Sequence, residues 1–168
     1  MAESYPIAER IAQAIAAAVS TVTVANDYHQ DLQLLADGTR CHRAKTAGDY
    51  ARTPPGQYAA QLVAAAPERN AEADNEGPVP SLGWLQTFHV DLMYRPSDAA
   101  SNPVERVLAW LWADCVKAVM ADPQMGDLAE TTDVDSPLFE VPVDSNEFYA
   151  TAVFIVQYRT AENDPYSQ

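Results

Sequence analysis

Glycine is scarce in this chain, six in 168 residues, and the scarcity bears on several functions at once. Loops that wrap a phosphate need glycine where backbone must approach the ligand closely or turn with positive φ. The sequence accordingly carries no P-loop, no G-x-G-x-x-G, no G-x-S-x-G and no H-E-x-x-H. The two cysteines, Cys41 and Cys115, define no disulfide framework. Basic side chains are also few: ten Lys and Arg stand against 24 Asp and Glu, a net charge of −14. Sequence-independent nucleic-acid binding draws its energy from counterions released by Lys and Arg, so this balance argues against it. An acidic surface repels DNA or meets a basic partner, and it is equally the ordinary state of many acidic proteins. No stretch approaches the roughly 18 apolar residues of a membrane-spanning helix. Glu9, Arg10 and Gln13 interrupt the alanine-rich N-terminus before an apolar signal region forms. The expectation is a protein made in the cytosol.

What is present is apolar periodicity. Ile7, Ile11, Ile15 and Val19 recur every four residues and predict a helix over 5–19, with Ser4 as N-cap and Pro6 in its first turn. The β-branched run Thr21–Val24 ends it. Tyr28–Ala36 reads as strand, closed by the turn signal Asp37-Gly38. Residues 57–66 fit helix by their alanines and strand by their flanking prolines, and strand is preferred. Residues 67–81 read as an exposed loop. In the clearest strand, Trp84, Gln86, Phe88, Val90, Leu92 and Tyr94 share an apolar face, and Leu85, Thr87, His89, Asp91, Met93 and Arg95 a mixed one. Asn102-Pro103-Val104-Glu105 reads as a capping-box start, with Asn102 as N-cap and Pro103 at the first helical position. The helix after it carries Val104, Val107, Leu108, Leu111, Cys115, Val116 and Val119 on one stripe and stops at Asp122-Pro123. Short strands are expected around Phe139–Val143 and a long one over Phe148–Arg159, with a loose tail over Thr160–Gln168. The order predicts an α+β fold: a mostly antiparallel sheet with two main helices packed on one face. One domain is expected over 1–160 and a flexible tail over 161–168. The long irregular connections are natural places for subunit contacts.

Residues with chemical potential do not converge. His29, His42 and His89 fall on different elements, and His89 reads as a solvated side chain on the mixed strand face. Cys41-His42 with Asp37 or Asp49 nearby lacks the paired spacing of a zinc site. Neighbouring side chains of an extended segment also diverge, against a Cys–His nucleophile pair. Asp127, Asp133 and Asp135 lack the order of a calcium loop, and carboxylate pairs such as Asp133/Asp135 and Asp144/Glu147 read as solvated surface. No catalytic, cofactor or metal residue is assigned.

Charge is segregated instead. Arg40, Arg43, Lys45 and Arg52 make a basic segment, whereas Ala118–Tyr158 holds no Lys or Arg and includes Asp133, Asp135, Asp144 and Glu147. These eight residues are the candidate interface. A basic region and an acidic region can join copies head to tail, the contact that closes rings; they can equally pair within one subunit or face water.

The runs WLQTFHVDLMYRPSD (84–98), VERVLAWLWADCVKAVMADP (104–123), MGDLAE (125–130) and FYATAVFIVQYRT (148–160), with the helix at 5–19, resemble the tail terminator, or tail completion, proteins of long-tailed bacteriophages. In that family a strand is followed by a helix ending near an acidic-proline step, then a short loop and a closing strand ending in a Tyr-Arg-like pair. The resemblance spans about two-thirds of the chain, and Thr39–Asn75 matches nothing in it. It implies a non-enzymatic virion subunit at the head–tail junction, without cofactor and assembled in the host bacterial cytoplasm. It also implies a homo-oligomer, a hexameric ring that ends tube polymerisation. Its partners would be the tail tube protein and a head–neck connector protein. DNA would pass through the lumen without sequence-specific binding, and no membrane is involved. The alternatives are another head–tail connector, such as a head-closure or neck subunit, and a small acidic α+β enzyme or ligand-binding domain.

Overall fold

The computed structural model describes residues 5–43, 56–75, 80–98, 100–140, 146–162 and 164–166. Among them are two α-helices, α1 (Ile7–Val19) and α2 (Val104–Val119). The strands are β1 (Cys41–Arg43), β2 (Gln57–Ala64), β3 (Glu68–Arg69), β4 (Ser81–Arg95), β5 (Thr131–Val134), β6 (Leu138–Glu140) and β7 (Phe148–Ala161). They form one mixed sheet in the order β1-β2-β4-β7-β5, with β3 added to β4 and β6 to β7. Only β1 and β2 run parallel. The architecture is α+β, as the alternation of patterns in the sequence indicates.

The centre of the sheet is the long antiparallel pair β4–β7, in register from Ser81–Ala161 to Tyr94–Phe148. Opposite residues of an antiparallel pair share a face, so Phe88 lies across from Phe154, Val90 from Ala152 and Leu92 from Ala150. These residues are fully buried and join Ala60 and Leu62 of β2, Ile7, Ile11, Ile15 and Val19 of α1, and Leu108, Leu111 and Cys115 of α2 in one cluster. α2 lies chiefly against β7, where the alanines at 150 and 152 let the helix come close.

Both helices start past the expected caps, α1 by two residues and α2 by one. Pro6 holds the cap position of α1, without a side-chain cap, and the first helical N–H, that of Ile7, donates to the Pro165 carbonyl at 3.0 Å. Ser4 lies outside the described residues. At α2, Pro103 is the cap rather than the first helical residue, because its ψ of 140° keeps it extended. Its carbonyl accepts from Arg106 and Val107, and no capping box forms. α1 ends where the Ser20 and Thr21 hydroxyls donate to the carbonyls of Ala16 and Ala18, at 2.8 and 2.7 Å.

Two segments depart from expectation. Tyr28–Ala36 is no strand: only Leu32 makes an isolated bridge, to Tyr58. Its backbone donors are taken individually, His29 N–H by the Asp114 carboxylate, Leu32 N–H by the Val22 carbonyl and Gln33 N–H by the Tyr58 carbonyl, which leaves no ladder to extend. Residues 67–75, read as an exposed loop, are largely exposed but hold β3 and a short 3-10 turn at Ala71–Ala73. Asp74 pairs with Arg69 at 2.6 Å and accepts the Gly83 N–H at 2.8 Å, while Arg159 donates to the Ala73 carbonyl. A Cβ on Gly83 would stand 2.5 Å from the Ala73 Cβ and 2.6 Å from the Asn70 carbonyl oxygen, so only glycine fits. β5 is a strand the sequence pattern does not announce, and β6 covers the first part of the expected Phe139–Val143 strand, of which 141–143 lie outside the described residues. The expected loose tail does not begin at Thr160: β7 continues through Thr160 and Ala161, the buried Thr160 hydroxyl accepts from Trp84 Nε1 at 3.0 Å, and Ala161 bridges to Asp164.

Candidate functional site

The charged candidates fall at the two ends of the sheet order. On one side, Arg43 belongs to β1, which pairs only with β2 among the described strands, and Arg40 directly precedes it. On the other, Asp133 belongs to β5, Asp135 directly follows it, and both are exposed. Glu147 sits just before β7 and accepts the Tyr149 hydroxyl at 3.0 Å. Lys45, Arg52 and Asp144 lie outside the described residues.

The two sides hold their charges differently. Arg43 forms a fork with Glu9 of α1, its Nη2 donating to Oε2 at 2.9 Å. The hydrogen bond from Arg43 holds the Glu9 carboxyl below its usual range, and Glu9 in turn raises the Arg43 guanidinium. Arg40 donates its Nη1 to the Leu32 carbonyl and its backbone N–H to the Ser20 hydroxyl at 3.1 Å. A carbonyl satisfies a guanidinium N–H without cancelling its charge. At the acidic side, Asp135 accepts its neighbour's N–H, that of Ser136 at 2.6 Å, while its own N–H donates to Val153 at 3.0 Å. Leu138 and Phe139 of β6 are 54% and 48% exposed beside these acids.

Beside β1 a groove of about 590 Å³ opens between α1 and the 37–43 segment, lined by Gln13, Ala16, Ala17, Ser20, Asp37, Gly38, Thr39, Cys41, His42 and Arg43. Within it, burial pushes the Cys41 thiol up to about 12, which keeps it a thiol rather than a nucleophile at neutral pH. Asp37 caps its own turn, accepting the Thr39 N–H at 3.0 Å and hydroxyl at 2.7 Å, and these bonds lower its pKa. It does not join Cys41 and His42 as a ligand set. Among the described residues no group of three or more His, Cys, Asp or Glu is placed to hold a metal ion. On the mixed face, Asp91, Met93, Glu140, Tyr149 and Thr151 line a second hollow of about 380 Å³. There the Thr151 hydroxyl donates to Asp91 at 2.7 Å. Burial, then the Glu147 hydrogen bond, raises the Tyr149 phenol.

Sequence reasoning missed a polar clamp on α2. Asp114 is buried within the apolar stripe and accepts both the backbone N–H and Nδ1 of His29, each at 2.8 Å. His29 stacks on Trp110 at 5.4 Å, and Lys117 donates to the Asp27 carbonyl while lying 4.6 Å from the Tyr28 ring centre. The clamp fixes 27–29 on the helix. Its one sequence signal is an acid placed between Leu111 and Cys115 on a face meant for the core.

The chain matches no protein-family model and no curated protein.

Proposed function

We propose that this chain is a structural subunit of a bacteriophage tail, of the terminator type, which assembles into a hexameric ring on the end of the tail tube. Such a ring ends tube polymerisation, offers the tail-side surface for head–neck joining, and acts without cofactor or catalysis. The observation that carries the reading is the position of Arg40 and Arg43 at the β1 end of the sheet and of Asp133 and Asp135 at the β5 end. Groups at opposite ends of one sheet do not neutralise each other within a subunit. Repeated around a rotation axis, each basic end meets the acidic end of the next copy, and the contact is heterologous and ring-closing. Arg43 enters this contact partly neutralised by Glu9, which leaves Arg40 as its main cation among the described residues. The sequence resemblance supplies the tail-tube setting, and the excess of acid suits a lumen through which DNA must slide.

The test is solution mass by light scattering behind a sizing column, at low and high salt, with and without isolated tail tubes. A mass near six subunits, or a monomer that forms rings only on tubes, supports the proposal, and dissociation at high salt supports the charged contact. A monomer or dimer insensitive to salt and indifferent to tubes overturns it.

A further inference from the structure

We infer that Arg159 links the 67–75 segment to the 122–130 loop across the mixed face of the sheet, so that the two order and loosen together. The two pieces belong to opposite sides of the central strand pair. The first carries β3, which pairs with β4; the second leads into β5, which pairs with β7. Arg159 lies directly across from Gly83, and opposite residues of an antiparallel pair share a face. Because Gly83 has no side chain, the Ala71–Ala73 turn settles on β4 where a Cβ would stand 2.5 Å from the Ala73 Cβ. The Ala73 carbonyl thereby comes within reach of Arg159, whose Nε donates to it at 3.0 Å. On the other side, Arg159 Nη1 meets Glu130 Oε1 at 2.9 Å, and Gln157 Nε2 donates to Glu130 Oε2 at 3.1 Å.

The guanidinium makes these contacts interdependent. It is planar, and its N–H bonds point out in a fixed fork. Seating Nη1 on Glu130 therefore aims Nε, and holding Nε on Ala73 aims Nη1. Each segment is also held locally: Asp74 accepts the Gly83 N–H and Asp122 the Gly126 N–H, both at 2.8 Å. Arg159 thus joins two small built units. Both units are otherwise largely exposed, the kind of structure that opens at the least cost in free energy. Coupling of this kind is reciprocal and can act through shared order without a change of shape. A partner that grips either segment stiffens the other without touching it. The link lies within one subunit and goes beyond the ring reading without depending on it.

The test is amide hydrogen exchange of the folded protein, read residue by residue, for the unaltered chain and for Glu130→Ala, Glu130→Gln and Arg159→Lys. The reporters are the amides of Ala73 and Asp74, which donate to Asn70 and Ala71, and of Ala129, which donates to Gln124. Glu130→Ala should speed exchange at Ala73 and Asp74 by about two- to fivefold, the range for a partly exposed ion pair, with amides in the middle of β4 and β7 unchanged. Glu130→Gln keeps an acceptor oxygen and should fall between Glu130→Ala and the unaltered chain. Arg159→Lys offers a rotatable ammonium in place of the fork and should loosen both segments. Faster exchange at Ala129 in Glu130→Ala with Ala73 and Asp74 unchanged would show that the segments move independently and overturns the inference. Uniformly faster exchange across β4 and β7 would assign the effect to overall stability and overturns it as well. The readout is internal to one chain, so its failure leaves the ring reading standing, and a chain that never forms rings leaves the link standing.

Discussion

Along β4 and β7 almost every side chain on the core face is buried, from Phe88 to Tyr94 and from Ala150 to Tyr158, and each meets a partner across the strand pair. At β1, β5 and β6 the strands are three or four residues long. Their side chains there include exposed acids, half-exposed apolar groups and guanidiniums held by a carbonyl or a half-exposed carboxylate. The centre spends its side chains on the interior; the ends keep theirs facing outward. Substitutions at the centre should therefore change folding while leaving the remaining folded molecules competent to associate, and substitutions at the ends should do the reverse.

The largest expected effect is at the centre. Phe154→Ala empties a fully buried site opposite Phe88 and should cost about 3–5 kcal/mol in chemical denaturation. A loss under about 1 kcal/mol would mean that the core collapses around the gap. Gly83→Ala comes next, because its Cβ would collide with Ala73 and with the rigid Asn70 carbonyl. A loss of about 1–3 kcal/mol is expected, with faster proteolysis near residue 70 as the 67–75 segment lifts off; unchanged proteolysis would show that the segment shifts without detaching. Glu9→Gln should cost less than about 1 kcal/mol at neutral pH, since both partners of its bridge to Arg43 are more than a third exposed. The Glu9 pKa is lowered on folding, so its contribution is full above the ordinary carboxylate range and is lost as pH falls through the folded value. Denaturation midpoints of Glu9→Gln and the unaltered protein should converge in acid, and a gap that persists there would assign the effect to packing. Smallest in stability is Asp133→Asn with Asp135→Asn, within about 0.5 kcal/mol for exposed surface sites. The same pair should flatten the salt dependence of self-association, and an unchanged salt slope would take these acids out of the contact.

The elements legible in the sequence are those whose burial follows a simple period. The four-residue spacing of α1, the stripe of α2 and the alternations of β4 and β7 each encode one face toward a core, so length and partner hardly matter. β5 was not legible because Thr131–Val134 becomes strand only by pairing with 154–157 of β7, a condition set elsewhere in the chain. Tyr28–Ala36 misled for the complementary reason. Its composition suits a strand, yet the Asp114 carboxylate captures the His29 N–H, and the Leu32 and Gln33 N–H groups go to the separate carbonyls of Val22 and Tyr58. The caps slipped by two residues at α1 and one at α2 because a proline's fixed φ serves either side of a helix boundary. Of the candidate interface, charge and exposure could be read residue by residue. That Arg43 and Asp133 lie at opposite ends is a property of strand order, which neither local sequence contains. The groove beside β1 joins α1 to the 37–43 segment, and no pattern in either predicts a recess between them.

β7 pairs with β4, β5 and β6, and it is the last long element of the described chain. β4 joins β2 and β3 without it, whereas β5 and β6 pair with no other strand among the described residues. During synthesis the two helices can form as the chain emerges, but β4 presents an open apolar edge until Phe148–Ala161 has left the ribosome. Contacts between such distant segments close slowly, and an unpaired strand edge is the element through which nascent chains stick to one another. The central β4–β7 pairing thus waits on the latest-made strand of the described chain, and the burden of keeping neighbouring nascent copies apart until then falls on the chain's own negative charge.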